Sequence, residues 1–399
     1  MQSKFTFVAI LSAVFMLAPL AIDMYLPALP TIAHDLGASI DQIEATVAIL
    51  LFGYALGQLV LGPLSDRFGR VPILLLGLVT FTVASALAGV VQSVEQLYAC
   101  RLFQAFGGAG SVVVFPMVRD RYDAEKSAQI ISYIMAATVI APLVAPIIGA
   151  FILTLAGWQA IFYTLAGFGL VTFVAAKVIV KPSSSRSARR AAFSLRDILS
   201  TYFTVIRNRR IMAHILAGGF AFAGLFAFVA GSPFVYISYF GVAPQNYGYL
   251  VGLNAAAMIG ANLINAQLLS KVDATAKTII GAVLLAFAAS LLIVIITLGG
   301  GLFWIVAGIV AYVGALGFTA TNAIVGALSQ LPEENGTVSA INGATQFSIG
   351  AASSLVVSVI ASTNATPMII TMVVCGFLAL ATAVTLSIHS PNQQGADNA

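Results

Sequence analysis

Long apolar runs, broken by short polar punctuation, dominate the chain. A helix needs about 20 apolar residues to cross a bilayer. Segments of that kind run over roughly 5–30, 43–64, 71–93, 96–117, 128–153, 158–180, 211–237, 246–268, 277–298, 301–326, 337–361 and 365–388. The breaks between them hold Gly, Pro, Asn and charges, as turns do. One connection differs, because residues 181–210 are rich in Ser and Arg and too polar to span. Within it, Leu195, Ile198, Leu199, Tyr202, Phe203 and Ile206 recur at helical spacing and predict a helix lying on the membrane surface. The pattern predicts an all-α membrane protein with twelve transmembrane helices in two six-helix bundles, 1–180 and 211–390. A basic linker joins the bundles, and a disordered tail covers 391–399.

Composition agrees. The 399 residues are 60% hydrophobic and 8% charged, whereas a soluble domain carries roughly 25% charged residues. Lys and Arg also set the orientation, since they gather on the cytoplasmic side. With the N-terminus inside, every one of the 18 except Arg101 falls at a cytoplasmic end or loop. The outer loops carry acids instead: Asp35, Asp41, Glu44 and Glu95. Both termini are therefore expected in the cytoplasm. The net charge of +4 is a matter of topology and anionic lipid, which argues against a nucleic-acid partner. Cys100 and Cys375 lie in apolar runs without metal-ligand spacing and read as buried, reduced thiols. Lys4 and the run after it imitate a signal peptide. No small-residue cleavage site precedes Asp23, and apolar segments continue to the end, so this stretch reads as the first span.

Two charges stand out inside the apolar segments, Asp23 and Arg101. Each costs roughly 2.5–3.5 kcal/mol at a helix centre, and such residues face cavities or pair with one another. At 1.5 Å per residue both lie about 9 Å to the outer side of the midplane. Equal depth permits a direct or water-bridged contact. Two readings follow: a structural ion pair, or a proton-titrated Asp23 assisted by Arg101. Burial opposes the carboxylate and Arg101 favours it.

Several motifs carry a family likeness. "GPLSDRFGRVP" (62–72) places Gly62, Asp66, Arg67, Gly69 and Arg70 between the second and third segments. "LYACRLFQAFGGAG" (97–110) contains Arg101 and Gln104, and "AATVIAPLVAPIIGAF" (136–151) contains Ala141, Pro142, Ala145, Pro146 and Gly149. These resemble the loop signature, the fourth-span motif and the antiporter motif of the major facilitator superfamily. With "IDMYLPALP", "FGYALGQLVLGPLSDRFGR" and "AGSPFVYI", the chain resembles the bicyclomycin-resistance (Bcr/CflA) group of bacterial drug:proton antiporters. The resemblance implies a major facilitator fold in the bacterial inner membrane. It also implies export of small, mostly apolar drugs by alternating access, driven by proton entry. It suggests that Asp23 couples protons, with Arg101 assisting.

The residues also speak for themselves. Ala137, Ala141, Ala145 and Gly149 recur every fourth position, and such a stripe lets helices approach closely. Pro142 and Pro146 bend that helix, so this stretch is expected to form a seam on which two bundles rock. Asp66 is expected to cap a neighbouring helix N-terminus, and Arg70 to pair with Asp120 or Asp123 as an inner gate. The second half carries aromatics and amides rather than intramembrane charges. Transport sites lie near the midplane between repeats. The substrate wall is therefore expected from Met24, Tyr25 and Gln104 in the first half and Phe226, Asn254 and Asn322 in the second. His34, His214 and His389 are scattered without metal-ligand spacing, and His214 reads as interfacial. No phosphate-binding loop and no nucleophile–base pair is visible, so neither ATP nor enzyme chemistry is expected. No metal or cofactor is expected either. The partners are protons, small-molecule drugs and lipid, and nothing demands more than a monomer. The rival functions are a proton symporter importing a nutrient, and a membrane receptor or assembly partner that moves nothing.

Overall fold

The computed structural model describes residues 4–180, 195–268, 272–331, 335–360 and 364–388. Among them all regular structure is helical. Residues 181–194 of the expected linker and the expected tail at 391–399 lie outside the described residues.

The first apolar run is not one helix. Helix α1 spans Lys4–Asp23, a short turn of 3-10 helix spans Leu26–Ala28, and α2 spans Leu29–Asp35. The cause is Pro27. It lacks the N–H that would bond the carbonyl four residues back, and its ring crowds that carbonyl. That carbonyl belongs to Asp23, where α1 ends. Asp23 therefore sits at a helix break rather than inside a continuous helix.

Next come α3 (Ile40–Phe68) and α4 (Arg70–Ala88). Gly69 between them adopts φ 106°, a backbone region that side chains disfavour. A Ser39–Gln42 capping box starts α3. Helix α5 (Val94–Gly108) continues through a 3-10 turn (Ala109–Val113) into α6 (Val114–Arg119). Here Pro116 removes the donor that the Val112 carbonyl would use.

Helix α7 runs over 56 residues, Ala124–Ile179, but Gly157 at φ 79° and ψ 174° breaks it. The break falls between the expected segments 128–153 and 158–180. Helix α8 covers Leu195–Arg207, close to the expected surface helix. Its Phe203 and Ile206 are exposed, whereas Val205 packs with Ile211 and Ile215 of the next helix.

The second half holds α9 (Arg209–Pro233), which runs into a π-helical turn (Phe234–Tyr239). Then follow α10 (Pro244–Leu268), α11 (Ala274–Thr297), α12 (Leu302–Gln330), α13 (Asn335–Val359) and α14 (Thr366–Ile388). Among the described residues, 10 helical stretches are long and apolar enough to cross a membrane. The expected twelve exceeds this for two reasons. Helix α7 counts once despite its break, and α13 falls outside the ten. Its Asn335, Asn342, Gln346 and several Ser and Thr dilute its apolar character.

Packing repeats between the halves. Helix α3 packs on α5, and α4 on both α5 and α7. In the same order, α10 packs on α12, and α11 on both α12 and α14. Likewise α1 lies against α7 as α9 lies against α13. Across the halves α3 meets α13, and α7 meets α10. At the end carrying α2, the halves also touch directly. There α2 meets the π-helical turn, and the 3-10 turn after α1 meets both α9 and α10. Large apolar side chains cover the outside, among them Phe151, Leu155, Phe287, Phe303 and Val359. In water such a surface would aggregate, and in lipid it is the expected exterior.

Candidate functional site

Arg101 is fully buried. Its guanidinium lies over the Tyr25 ring, 4.1 Å from the centroid, with Phe162 at 5.8 Å. Such a stack contributes about 2 kcal/mol when desolvated. Nη1 donates to the Ala21 carbonyl at 3.0 Å and to Gln104 Oε1 at 2.6 Å. Gln104 Nε2 in turn donates to Ser85 Oγ at 2.8 Å. Nε and Nη2 have no partner. Ala21 belongs to the last turn of α1, where unpaired carbonyls create partial negative charge. Arg101 thus caps a helix C-terminus that Pro27 has opened.

Asp23 is buried, yet among the described residues no ion pair joins it to Arg101. The direct contact permitted by equal depth is not made in this conformation. The broken helix explains this. The arginine is engaged through Nη1 by the Ala21 carbonyl and Gln104 and by the Tyr25 face, while Asp23 sits at the end of α1. There it lies within electrostatic reach of Tyr247 on α10. Tyr247 hydroxyl shares a 2.9 Å hydrogen bond with Ser232 Oγ of α9, and its ring packs 6.1 Å from Tyr236. Asp23 therefore lies close to the junction of the two halves.

Met24 and Tyr25 occupy the break itself and are buried. The Tyr25 hydroxyl hydrogen-bonds Thr46 Oγ1 on α3. Gln104 is also fully buried, held between Arg101 and Ser85, and offers no open face here.

Glu44 departs most from expectation. The sequence pattern puts it among the outer-loop acids, but it is the fifth residue of α3 and is 0% exposed. Neither carboxyl oxygen has a hydrogen-bond partner. Its neighbour Thr46 bonds Tyr25, which places Glu44 beside the Asp23–Arg101 region. The sequence signal was present: Glu44 follows the Ser39–Gln42 cap and lies within an apolar run. Proximity to Asp41 made it look like part of the polar turn.

The small-residue stripe also has a different neighbour from the one expected. A Cβ on Gly149 would collide with the Met24 carbonyl oxygen, with its carbon only 2.6 Å away. The stripe of Ala141, Ala145 and Gly149 is buried, and Gly149 abuts α1 of the same half. Contact between the halves uses Leu143 and Ile147 of α7 against glycines of α10. A Cβ on Gly248 would lie 2.9 Å from Ile147 N, and one on Gly252 3.1 Å from Leu143 Cδ1. Pro142 and Pro146 stay within α7. The seam thus keeps its close packing, but the small residues that let the halves touch sit on α10.

At the far end, Arg70 bonds Asp66 at 2.5 Å, Ser65 Oγ at 2.6 Å and Asp120 at 3.7 Å. Asp120 is the partner in the expected pair. Asp123 instead caps α7 and bonds Lys126 at 2.9 Å, and that ammonium holds its carboxyl below the usual carboxylate range. Asp66, in the last turn of α3, pairs across the Gly69 break with Arg70 in the first turn of α4. Arg67 lies 5.3 Å from the Phe68 ring, and a Cβ on Gly62 would lie 3.9 Å from Val112 Cγ2.

In the second half, Phe226 packs on Phe347 at 5.8 Å, and Phe347 stacks on Tyr54 of α3 at 5.4 Å. This aromatic bridge joins the halves. Asn254 is buried with both amide atoms unpartnered, as a group awaiting a ligand would be. Asn322 is different. It exchanges hydrogen bonds with Asn265 at 3.1 and 3.4 Å and donates to the Phe318 carbonyl at 2.7 Å. That pair holds α12 to α10, so Asn322 is a clasp here, not a free wall residue. Asn322→Leu, by orphaning Asn265, is expected to destabilise by about 1–3 kcal/mol. The Asn265→Leu/Asn322→Leu double variant should recover most of that loss in a detergent melting assay. His214, expected at the interface, is fully buried against Gly326, with Nε2 3.4 Å from Thr275 Oγ1. Cys100 is half-buried and Cys375 buried, both free thiols.

Known proteins share this plan. Residues 11–355 match the model of the Major Facilitator Superfamily. A bicyclomycin resistance protein homolog of Haemophilus influenzae is 33% identical over 376 residues, covering 94% of each chain. A multidrug resistance protein, MdtL, of Vibrio parahaemolyticus is 31% identical over 240 residues, 60% of each chain. Among solved structures, a D-xylose-proton symporter superposes with a TM-score of 0.76 over 98% of this chain and 99% of its own, at 15% identity. At that identity the likeness speaks for the fold alone. With two similarly packed halves and a family match over most of its length, the chain belongs to the Major Facilitator Superfamily of membrane transporters.

Proposed function

We propose that this transporter exports small, mostly apolar drugs in exchange for protons. Its relatives named for bicyclomycin and multidrug resistance support the substrate class. The observation that carries the coupling is Asp23: a buried carboxyl at the junction of the halves, without a cationic partner. Burial and the C-terminal dipole of α1 both oppose a negative charge there. Such a carboxyl is neutral when it carries a proton, and competition between proton and drug for the cavity beside it is the exchange an antiporter needs.

The chain crosses the bacterial inner membrane twelve times, in two bundles with both termini cytoplasmic. Helix α7 supports two of these crossings. Its 51-residue apolar stretch would reach about 75 Å as one helix, far beyond a core of about 30 Å. The closed end carrying α2 then faces outward. Drug enters from the cytoplasm, displaces the proton from Asp23, and leaves once the halves have closed at the inner end and parted at the outer. The outward state reloads Asp23 with a proton. One polypeptide suffices for this cycle.

Everted vesicles energised with a proton gradient, reported by a pH-sensitive dye, test this reading. Adding bicyclomycin or another small drug is expected to discharge the gradient. A panel that moves no protons, alongside solute accumulation in right-side-out vesicles, would favour import.

A further inference from the structure

We propose that Glu44 is a second proton-carrying carboxyl, lodged beneath the closed end of the transporter and loaded from the outer medium when that end opens. This inference rests on the proton-antiport reading. It starts from geometry. Glu44 is 0% exposed and neither oxygen has a partner. A buried ion without a partner costs several kcal/mol, so the group resides there as the neutral acid. It lies one helical turn into α3, on the same end as α2 and the inter-half contacts that seal it. Separation of the halves at this end would hydrate it.

Among the described residues no cation forms an ion pair with it. Asp41 of its own helix lies within electrostatic reach. From the break after α1 come Tyr25, within similar reach, and Asp23 two residues before it. Helix α2 contributes His34 and Asp35, both exposed, and Asp35 already accepts from Trp158 Nε1 at 3.0 Å. Helix α5 brings Glu95, Tyr98, Cys100 and Arg101. Tyr98 donates to the Gln42 carbonyl at 2.7 Å, and Arg101 is held by Ala21 and Gln104. The ionisable groups of α4 and α9 are Arg70, Arg209, Arg210 and His214, all at the opposite end of the molecule. Helix α13 has none along Asn335–Val359, and the Ala109–Val113 turn has none. A proton is therefore the counterion available to Glu44 in the closed state. Water at the outer end is its source and acceptor when the halves part. Tyr25 lies between the two acids: its hydroxyl bonds Thr46 beside Glu44, and its backbone follows Asp23. Proton loading at the outer end is thereby placed next to the coupling acid.

The test counts protons. In proteoliposomes with an imposed pH gradient, protons moved per drug molecule are measured for wild type, Glu44→Gln and Glu44→Asp. Losing one of two carriers should lower the ratio about twofold in Glu44→Gln, and Glu44→Asp should restore it. A wild-type ratio in Glu44→Gln makes Glu44 a structural neutral acid and overturns this proposal, while antiport stands. Absence of drug-driven proton movement in wild type overturns antiport, and this proposal with it. Should Glu44→Gln fail to fold, wild-type protein treated with dicyclohexylcarbodiimide gives the answer. That reagent modifies protonated carboxyls in apolar surroundings. Peptide mapping is expected to find Glu44 labelled, and an unlabelled Glu44 beside a labelled Asp23 overturns the proposal.

Discussion

Asp23→Asn is expected to cut drug-driven proton exchange by on the order of 100-fold or more, the scale on which a positioned proton-transfer group acts. Asparagine keeps the shape of the side chain and removes its proton. The accompanying stability result separates two physical pictures. Had Asp23 and Arg101 formed a buried ion pair, removing one partner would strand the other charge and cost about 3–5 kcal/mol. In this structure Arg101 is held by the Ala21 carbonyl, Gln104 and the Tyr25 ring. Its environment does not depend on the carboxylate. Asp23→Asn should therefore melt at or above the wild-type temperature in detergent while its vesicles fail to discharge a gradient on drug addition. A large drop in melting temperature would mean that the pair forms after all. Full proton exchange in the variant would remove Asp23 from the coupling path.

The elements most legible in the sequence were those carried by long-range composition and by short-range geometry. Apolar runs marked the helices because lipid-facing surface must be apolar. Arg70 and Asp120 were legible as partners because a basic turn and an acidic one end on the same side of the membrane. Arg101 and Asp23 were legible as exceptional because charges in apolar helices are rare. Their relation was not, because equal depth along two helices says nothing about rotation around them. Pro27 held the missing clue: by freeing carbonyls at the end of α1, it created a backbone acceptor that competes with the carboxylate for the guanidinium. Glu44 was misplaced because burial deepens along one face of α3. Asp41, in the first turn of α3, is half-buried, whereas Glu44, three residues on and on the same face, is buried. The direction of Gly149 was equally hidden, since a small-residue stripe announces close packing without naming the helix it meets.

Gly149→Ala is expected to abolish transport, and the reason lies in which atoms it would strike. The added Cβ would overlap the Met24 carbonyl oxygen and come within 3.0 Å of Met24 Cα. These are backbone atoms, so no rotamer change relieves the clash. The end of α1 must move, carrying Asp23 and the Ala21 carbonyl under Arg101 with it. Overpacking of this kind costs about 1–3 kcal/mol, occasionally more, enough to be seen as a lowered melting temperature. Gly260→Ala on α10 is the control, because nothing lies within 4 Å of its Cβ position, and alanine should be tolerated there. Second-site rescue gives the sharper test. A Cβ on Gly350 would meet the Phe226 ring, with Cε2 at 3.0 Å, so Gly350→Ala should be relieved by Phe226→Leu. No truncation of the Met24 side chain should relieve Gly149→Ala, since the obstacle is the main chain itself. If Met24→Ala/Gly149→Ala regained transport in vesicles, the contact would be between side chains. The close approach of α7 to the break in α1 could then not be what positions Asp23.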